Sequence, residues 1–213
     1  MLYYDKVFLT IQGESRDAGI PTVFIRLYGC PIGCSYCDQP QENGTRASIQ
    51  SLVTKVKKFK GVKNVCITGG EPLIQEETYQ LVYELMEEGY KVSIETSGCV
   101  SIENYNYRRS FRFVMDIKCP GSGKSHLNVY SNLAKLKKND DLKFVICNRE
   151  DYDFMKKVLK KYPCAAEVLA SPVFLKDENG NETSNCQELA QWVLEDKLDV
   201  RVQVQLHKII GVE

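Results

Sequence analysis

Residues 24–38 read FIRLYGCPIGCSYCD, an apolar run interrupted by Arg26 and followed by three cysteines in a C-x3-C-x2-C spacing. The run predicts a strand from Thr22 to Tyr28, and the turn after it carries Cys30, Cys34 and Cys37. Three thiolates this close repel one another unless a metal neutralises them. A reduced loop of this length can wrap one face of an iron-sulfur cube, and Gly29 and Gly33 allow tight turns around the sulfurs. A closed structural zinc site takes four ligands, usually from two paired motifs. Here the next Cys or His is Cys66, alone inside an apolar strand. Three ligands leave one iron of a four-iron cluster open to a small molecule; the competing reading is zinc, or three unrelated loop thiols.

Outward from this loop, short β-branched strands alternate with helical stretches. Strands are predicted over Lys6 to Gln12, Asn64 to Thr68, Lys91 to Thr96, Arg112 to Ile117, Leu142 to Cys147, Glu167 to Ala170 and Val200 to Gln205. Helices are predicted over Ile49 to Phe59 with Ser48 as N-cap, Glu76 to Glu88, Asp151 to Tyr162 and Asn185 to Glu195. Several strands are apolar almost throughout, as expected when both faces are covered. The alternation implies an α/β fold with a parallel sheet. About six repeats in 213 residues fall short of a closed eight-fold barrel, so an incomplete TIM-like barrel of parallel strands with outer helices is expected. No linker or composition shift divides residues 1–213, which read as one domain, and Lys176 to Ser184 reads as a surface loop.

Hydrophobic residues make up 43% and charged residues 26%, which excludes a disordered or collagen-like chain. Lys+Arg 28 balance Asp+Glu 28, which argues against a protein that grips nucleic-acid backbone. The basic stretches Lys55 to Lys58 and Lys135 to Lys138 read as solvated faces. The opening residues lack the apolar core of a signal peptide, and no run approaches membrane-spanning length. Nine cysteines without a secretory signal point to reduced thiols or metal ligands in a soluble, cytoplasmic protein. Cys66 and Cys147 read as core residues, while Cys99, Cys119, Cys164 and Cys186 share no metal-ligand spacing.

Unusual polar groups stand where the strands end, the place where α/β barrels collect chemistry. These are Thr68-Gly69-Gly70-Glu71-Pro72, Glu95-Thr96-Ser97-Gly98 and Asp116-Ile117-Lys118. Together with the cysteine triplet they resemble the radical S-adenosylmethionine (SAM) superfamily. Ile11-Gln12-Gly13-Glu14 near the start and Gln205-Leu206-His207-Lys208 near the end narrow the resemblance to the 7-carboxy-7-deazaguanine synthase family, over nearly the whole chain.

That resemblance implies a radical SAM fold and a lyase of 7-deazapurine (queuosine precursor) biosynthesis. Its substrate would be 6-carboxy-5,6,7,8-tetrahydropterin, ring-contracted with loss of ammonia while SAM is regenerated. Cys30, Cys34 and Cys37 would hold a 4Fe-4S cluster whose open iron binds SAM, with cluster and SAM supplying the radical and no separate catalytic side chain. Tyr36, Asp38, Gly70, Glu71, Gly98, Asp116 and Lys118 match SAM-contacting positions, with Glu71 an acceptor for the SAM ammonium. Gln12, Gly13, Glu14, Arg26, Thr96, His207 and the terminal carboxylate of Glu213 match substrate contacts, with Arg26 gripping the substrate carboxylate. A homodimer and an electron donor such as flavodoxin or ferredoxin are also implied.

Three positions depart from the family pattern. Gln39 stands where a Thr or Ser helps bind Mg2+ in the family; its amide oxygen would keep the cation with an altered geometry, or the cation is shifted or absent, and a changed role is favoured. Ser15 replaces a typical Gly, and Asp116 a common Ser. The rival readings are an activase of a glycyl-radical enzyme, a sister radical SAM enzyme on a related pterin, a non-catalytic cluster or zinc protein, and a nucleic-acid-modifying enzyme. The activase shares the triplet but not the IQGE and QLHK segments.

Overall fold

Strands whose apolar residues must leave water pair side by side. In a computed structural model describing residues 1–37, 39, 44–105, 110–176 and 182–213, nine of them form a single sheet. The chain runs out along β1 (Leu2–Ile11), back along β2 (Pro21–Leu27), and then adds β3 (Thr45–Ala47) to the far side of β1. After α1 (Ile49–Lys57) come β4 (Asn64–Gly69), α2 (Thr78–Glu87), β5 (Lys91–Thr96), β6 (Phe111–Ile117) and β7 (Asp141–Ile146). α3 (Arg149–Lys161), β8 (Glu167–Pro172), the hairpin β9 (Phe174–Lys176) and β10 (Glu182–Ser184), α4 (Cys186–Asp196), β11 (Arg201–Val202) and α5 (Leu206–Ile210) complete the chain. The order across the sheet is β11-β8-β7-β6-β5-β4-β2-β1-β3. Every pair from β2 to β11 is parallel, and the two edge strands do not meet, so the barrel is open as expected.

Several features differ from expectation, among them β3, which is absent from the predicted strands, and the early start of β1 at Leu2. The sheet is not wholly parallel: no helix separates β1 from β2, so the chain doubles back and pairs antiparallel. Val200 to Gln205 shrinks to a two-residue strand, because the Gln203 side chain is drawn off to Ser15 and the chain turns into α5. The segment read as a loop from Lys176 to Ser184 instead begins at the end of β9 and closes with all of β10, which pairs with β9, and residues 177–181 lie outside the described part. Between β6 and β7 the chain makes 3-10 turns, Pro120–Ser122, Ser125–Leu127 and Tyr130–Lys135, in place of an α-helix. Among the described residues no helix is long and apolar enough to cross a membrane.

The helices follow from their caps and stripes. Ser48 Oγ accepts from Ser51 N at 3.1 Å, and α1 buries Leu52, Val53 and Val56. α2 buries Leu81, Val82 and Leu85. α3 starts at Arg149, two residues before its predicted start, because Asn148 Oδ1 accepts from Asp151 N at 3.0 Å. Acidic Glu150 and Asp151 open that helix and Lys160 and Lys161 close it, both favourable to its dipole. Asn148→Ala should lower the unfolding free energy by about 1 kcal/mol. An unchanged urea midpoint would show that the cap contributes nothing.

Strand alternation then divides the sheet. Ile25, Ile67, Ile94, Phe113, Phe144 and Ala170 face the helices and form the core with them. Their immediate neighbours face the interior of the open barrel, a second face that sets Arg26, Thr68, Glu95, Lys143 and Ser171 beside the apolar Phe24, Val114 and Val145.

Candidate active site

Period-two alternation puts Arg26 of β2, Thr68 of β4, Glu95 of β5, Asp116 of β6, Lys143 of β7 and Ser171 of β8 on one inner wall. They line a cavity of about 670 Å³ that extends past the C-terminal ends of the strands to Gly70, Ser97 and Lys118. The strand ends are built to permit this. Gly69 has φ +126, and a Cβ there would collide with the Leu27 carbonyl of the neighbouring strand.

The loop after β1 closes the cavity from the opposite end. Gly19 N donates to Gln12 O at 2.8 Å and Gln12 N to Ile20 O at 2.9 Å, which fastens its base. Ser15, fully buried, takes φ 64, the left-handed conformation that explains the family's glycine there. The serine is held in it by Gln203, whose Oε1 accepts from Ser15 N at 2.6 Å and whose Nε2 donates to Ser15 O at 2.5 Å. Arg16 Nε pairs with buried Asp141 at 2.7 Å, and Arg112 pairs with Asp17. Three anchors thus fix the loop, and Gln12 and Glu14 project from it into the cavity. Gln12 Nε2 donates to Glu95 Oε1 at 3.1 Å, and Thr68 Oγ1 donates to Glu95 Oε2 at 2.9 Å.

Four buried charges stand beside Gln12. Lys143 Nζ is bonded to Glu14 and lies 3.3 Å from Asp116 Oδ1; Lys118 Nζ donates to Asp116 Oδ2 at 2.8 Å. Burial pushes the Glu14 carboxyl up, but Lys143, the Gln205 amide and His207 reverse this and hold it below its ordinary value. Burial works against the charge on Lys143, yet Asp116, Glu14 and Glu95 outweigh it and keep the ammonium well above the usual lysine range. Lys118 is likewise raised, with Asp116 overcoming the cost of burial. Two lysines thus answer Glu14 and Asp116, while Glu95 adds a third carboxylate to the wall.

The cysteine loop covers the top. Cys30 and Cys37 are exposed, Cys34 is half-buried, and all three are free thiols lining the same cavity. Ser35 N donates to Ser122 O at 3.2 Å and Ser35 Oγ to Gly121 O at 2.8 Å, which leans the loop on the turn after β6. Among the described residues no three His, Cys, Asp or Glu side chains converge on a single-ion site. A cube takes one thiolate at each of three separate corners, so its ligands have no need to converge. Tyr36 OH and Arg26 Nε are buried donors without a hydrogen-bond partner, both in residues lining this cavity. Such groups are costly unless something meets them. Cluster, SAM and an anionic ligand together fit the donors present.

Of the residues singled out in the sequence, Gln12, Gly13, Glu14, Arg26 and Thr96 line the cavity from below and the side. Tyr36, Gln39, Gly70, Asp116 and Lys118 line it towards the cysteines. His207 joins them because α5 folds back: Leu206 N donates to Gly13 O at 2.9 Å, and a Cβ on Gly13 would overlap the His207 ring. Glu213 reaches the rim, its side chain paired with Lys6. Asp38 lies outside the described residues.

Two residues fall elsewhere. Glu71, 1% exposed, spends its carboxylate inside the protein and does not line the cavity. Its Oε1 accepts from Leu73 N at 3.0 Å and Thr96 Oγ1 at 2.8 Å, and its Oε2 from Ser97 N at 2.7 Å and Ser97 Oγ. Four donors leave no capacity for a ligand's ammonium, so Glu71 instead shapes the loop that presents Thr96 and Ser97. Gly98 stands behind that loop, its carbonyl accepting from Val129 N at 3.1 Å.

Lys143, Glu95, Ser171 and Gln205 also line the site, although the sequence reading gave none of them a role. For the strand residues the available signal is a polar side chain at alternate positions of an otherwise apolar run, as in Lys91, Ser93 and Glu95 of β5.

Residues 24–107 match the profile of the Radical SAM superfamily. A 7-carboxy-7-deazaguanine synthase of Koribacter versatilis is 38% identical over 216 residues, covering 96% of this chain and 95% of the relative. The enzyme of the same name from Methanospirillum hungatei is 38% identical, with 97% and 84% covered, and that of Aquifex aeolicus 34%, with 98% and 93%. In fold, the chain resembles QueE from Escherichia coli, with a TM-score of 0.76, 21% identity, and 97% and 94% of the two chains covered.

Proposed function

Because the chain belongs to the 7-carboxy-7-deazaguanine synthase family of radical SAM enzymes, we propose that it converts 6-carboxy-5,6,7,8-tetrahydropterin to 7-carboxy-7-deazaguanine with loss of ammonia. The observation that carries this reading is one cavity shared by two chemistries. The three thiols of Cys30, Cys34 and Cys37 face the same space as Arg26, Gln12, Glu14 and His207, which suit a flat, hydrogen-bonding anion.

Cys30, Cys34 and Cys37 would hold the 4Fe-4S cluster, and Tyr36, Gly70, Asp116 and Lys118 would border SAM. When bound, the reduced cluster and SAM together supply a carbon radical able to take a hydrogen atom from the substrate. Arg26 offers its fork to the substrate carboxylate. Glu14 is ionised and accepts from pterin N–H groups, while Gln12, held by Glu95, presents its remaining amide hydrogen. His207, on the α5 segment that folds over Gly13, helps exclude water from the pterin side.

Gln39 lines the cavity and offers an amide oxygen on a longer arm than a hydroxyl, which supports a changed role for Mg2+. The half-exposed thiol loop gives a flavodoxin- or ferredoxin-type donor short access to the cluster. One sheet gathers strands from Leu2 to Val202, as a single domain would. A homodimer follows from the resemblance, and a cytoplasmic setting suits nine unpaired thiols.

Anaerobic reconstitution with iron and sulfide, then SAM, reductant and the tetrahydropterin, tests the reading. The deazapurine and ammonia are expected in equal amounts. A reconstituted protein that cleaves SAM but leaves the pterin unchanged would overturn the substrate, and omission of Mg2+ reads out the part played by Gln39.

A further inference from the structure

We propose that Lys143 is a positioning residue for the substrate pocket: its ammonium, seated between Glu14 and Asp116, holds the Glu14 carboxylate ionised and aimed at the substrate. The inference deepens the proposed function and rests on Glu14 meeting the pterin.

Lys143 is the residue of the inner wall that touches both ends of the site. Its Nζ is bonded to Glu14 Oε2 and stands 3.3 Å from Asp116 Oδ1, whose carboxylate is shared with Lys118. The other oxygen of Glu14 accepts from Gln205 Nε2. The carboxylate is thereby fixed in its plane from two sides, with its remaining acceptor directions free for a ligand. The charged groups around this pair are Asp116 and Lys118 from β6 and the residues after it, Glu95 from β5, and His207 from α5. With Lys143 present, three carboxylates face two lysines; without it, three face one.

A purely architectural role is poorly matched to the surroundings. The loop carrying Glu14 is already anchored by Gln203 on Ser15, Asp141 on Arg16 and Arg112 on Asp17. A lysine kept only for folding would duplicate these anchors while bearing the cost of a buried ammonium. What the three anchors do not supply is a cation at the Glu14 carboxylate.

The test is fluorescence titration of the reconstituted holoenzyme, without reductant, using 6-carboxypterin as a stable probe. Measured in a His207→Gln background, because an imidazole's ordinary range falls in this window, affinity should be flat from about pH 5.5 to about pH 7.5, since Glu14 stays ionised throughout. Lys143→Met should bind about tenfold more weakly at neutral pH. It should weaken further as the pH falls, since a buried carboxyl without its cation takes up a proton in that range. Lys143→Arg should recover most of the affinity, and Lys143→Met should add little in a Glu14→Gln background.

Lys143→Met matching wild type in affinity and in pH profile would overturn the inference while leaving the proposed function standing. So would a carboxyl titrating inside that range in the His207→Gln protein, a result that does not depend on the Lys143 variants folding. A wild-type enzyme that ignores the probe altogether would sink the substrate reading, and the role of Lys143 with it.

Discussion

Cys34→Ala should leave a folded protein without turnover. Product formation is expected to fall by at least about a thousandfold, because every later step waits on the radical. Iron content after reconstitution should fall with it. Cys34 is the half-buried thiol of the three, facing the cavity rather than the helix-packed core. Its loss should therefore shift stability by no more than about 0.5 kcal/mol. The loop keeps its own supports, Ser35 on Gly121 and Ser122, and Cys37 N on Cys34 O at 3.2 Å. The control is Cys164→Ala. Cys164 packs against the core away from the cavity, and its removal should spare both iron and activity. A Cys34→Ala protein that still binds four irons and cleaves SAM would show that the three thiols are not the ligand set.

The cysteine loop could be found from sequence because its chemistry is local: three residues within eight positions carry the whole signal. The same holds for α1, with its Ser48 cap and buried stripe, and for the stripe of α3, though not for its Asn148 cap. The antiparallel return of β1 onto β2 left a weaker trace. It depends on the absence of a crossover helix between them, and a run such as VFLTI reads alike in either direction. The inner wall was harder still. Asp116 and Lys118 stood out because they end a strand, whereas Lys143 lies mid-strand among Leu142, Phe144 and Val145 and was passed over in a run read as apolar. Glu71 shows the reverse case. Its GGEP setting marked it as a ligand contact, but only the fold reveals that Thr96, Ser97 and Leu73 already use both its oxygens.

Ser15 and Asp116 illustrate how departures from a family pattern are absorbed. A side chain at φ 64 is strained, but it is held there by two hydrogen bonds to Gln203. A carboxylate where Ser is common adds a charge to the wall, and two lysines neutralise it.

Arg26→Met should weaken 6-carboxypterin binding by about a hundredfold while leaving unsubstituted pterin, which lacks the carboxylate, bound as in wild type. The guanidinium is presented rather than consumed. Its carbon lies 5.3 Å from the centre of the Phe8 ring, which in turn stacks on Phe24 at 5.4 Å. Its Nε is buried and meets no acceptor, a position that costs free energy until an anion arrives. Lys6 shares the same ring at 4.8 Å but is paired with Glu213, so it is a poor substitute for the lost cation. Arg26→Lys should recover only part of the loss, since an ammonium keeps the charge without the two-pronged geometry. In turnover the effect should fall mainly on KM, because the carboxylate is held equally before and during the reaction. Equal weakening of both pterins would move Arg26 from carboxylate recognition to general packing, and no weakening of either would place the carboxylate elsewhere in the cavity.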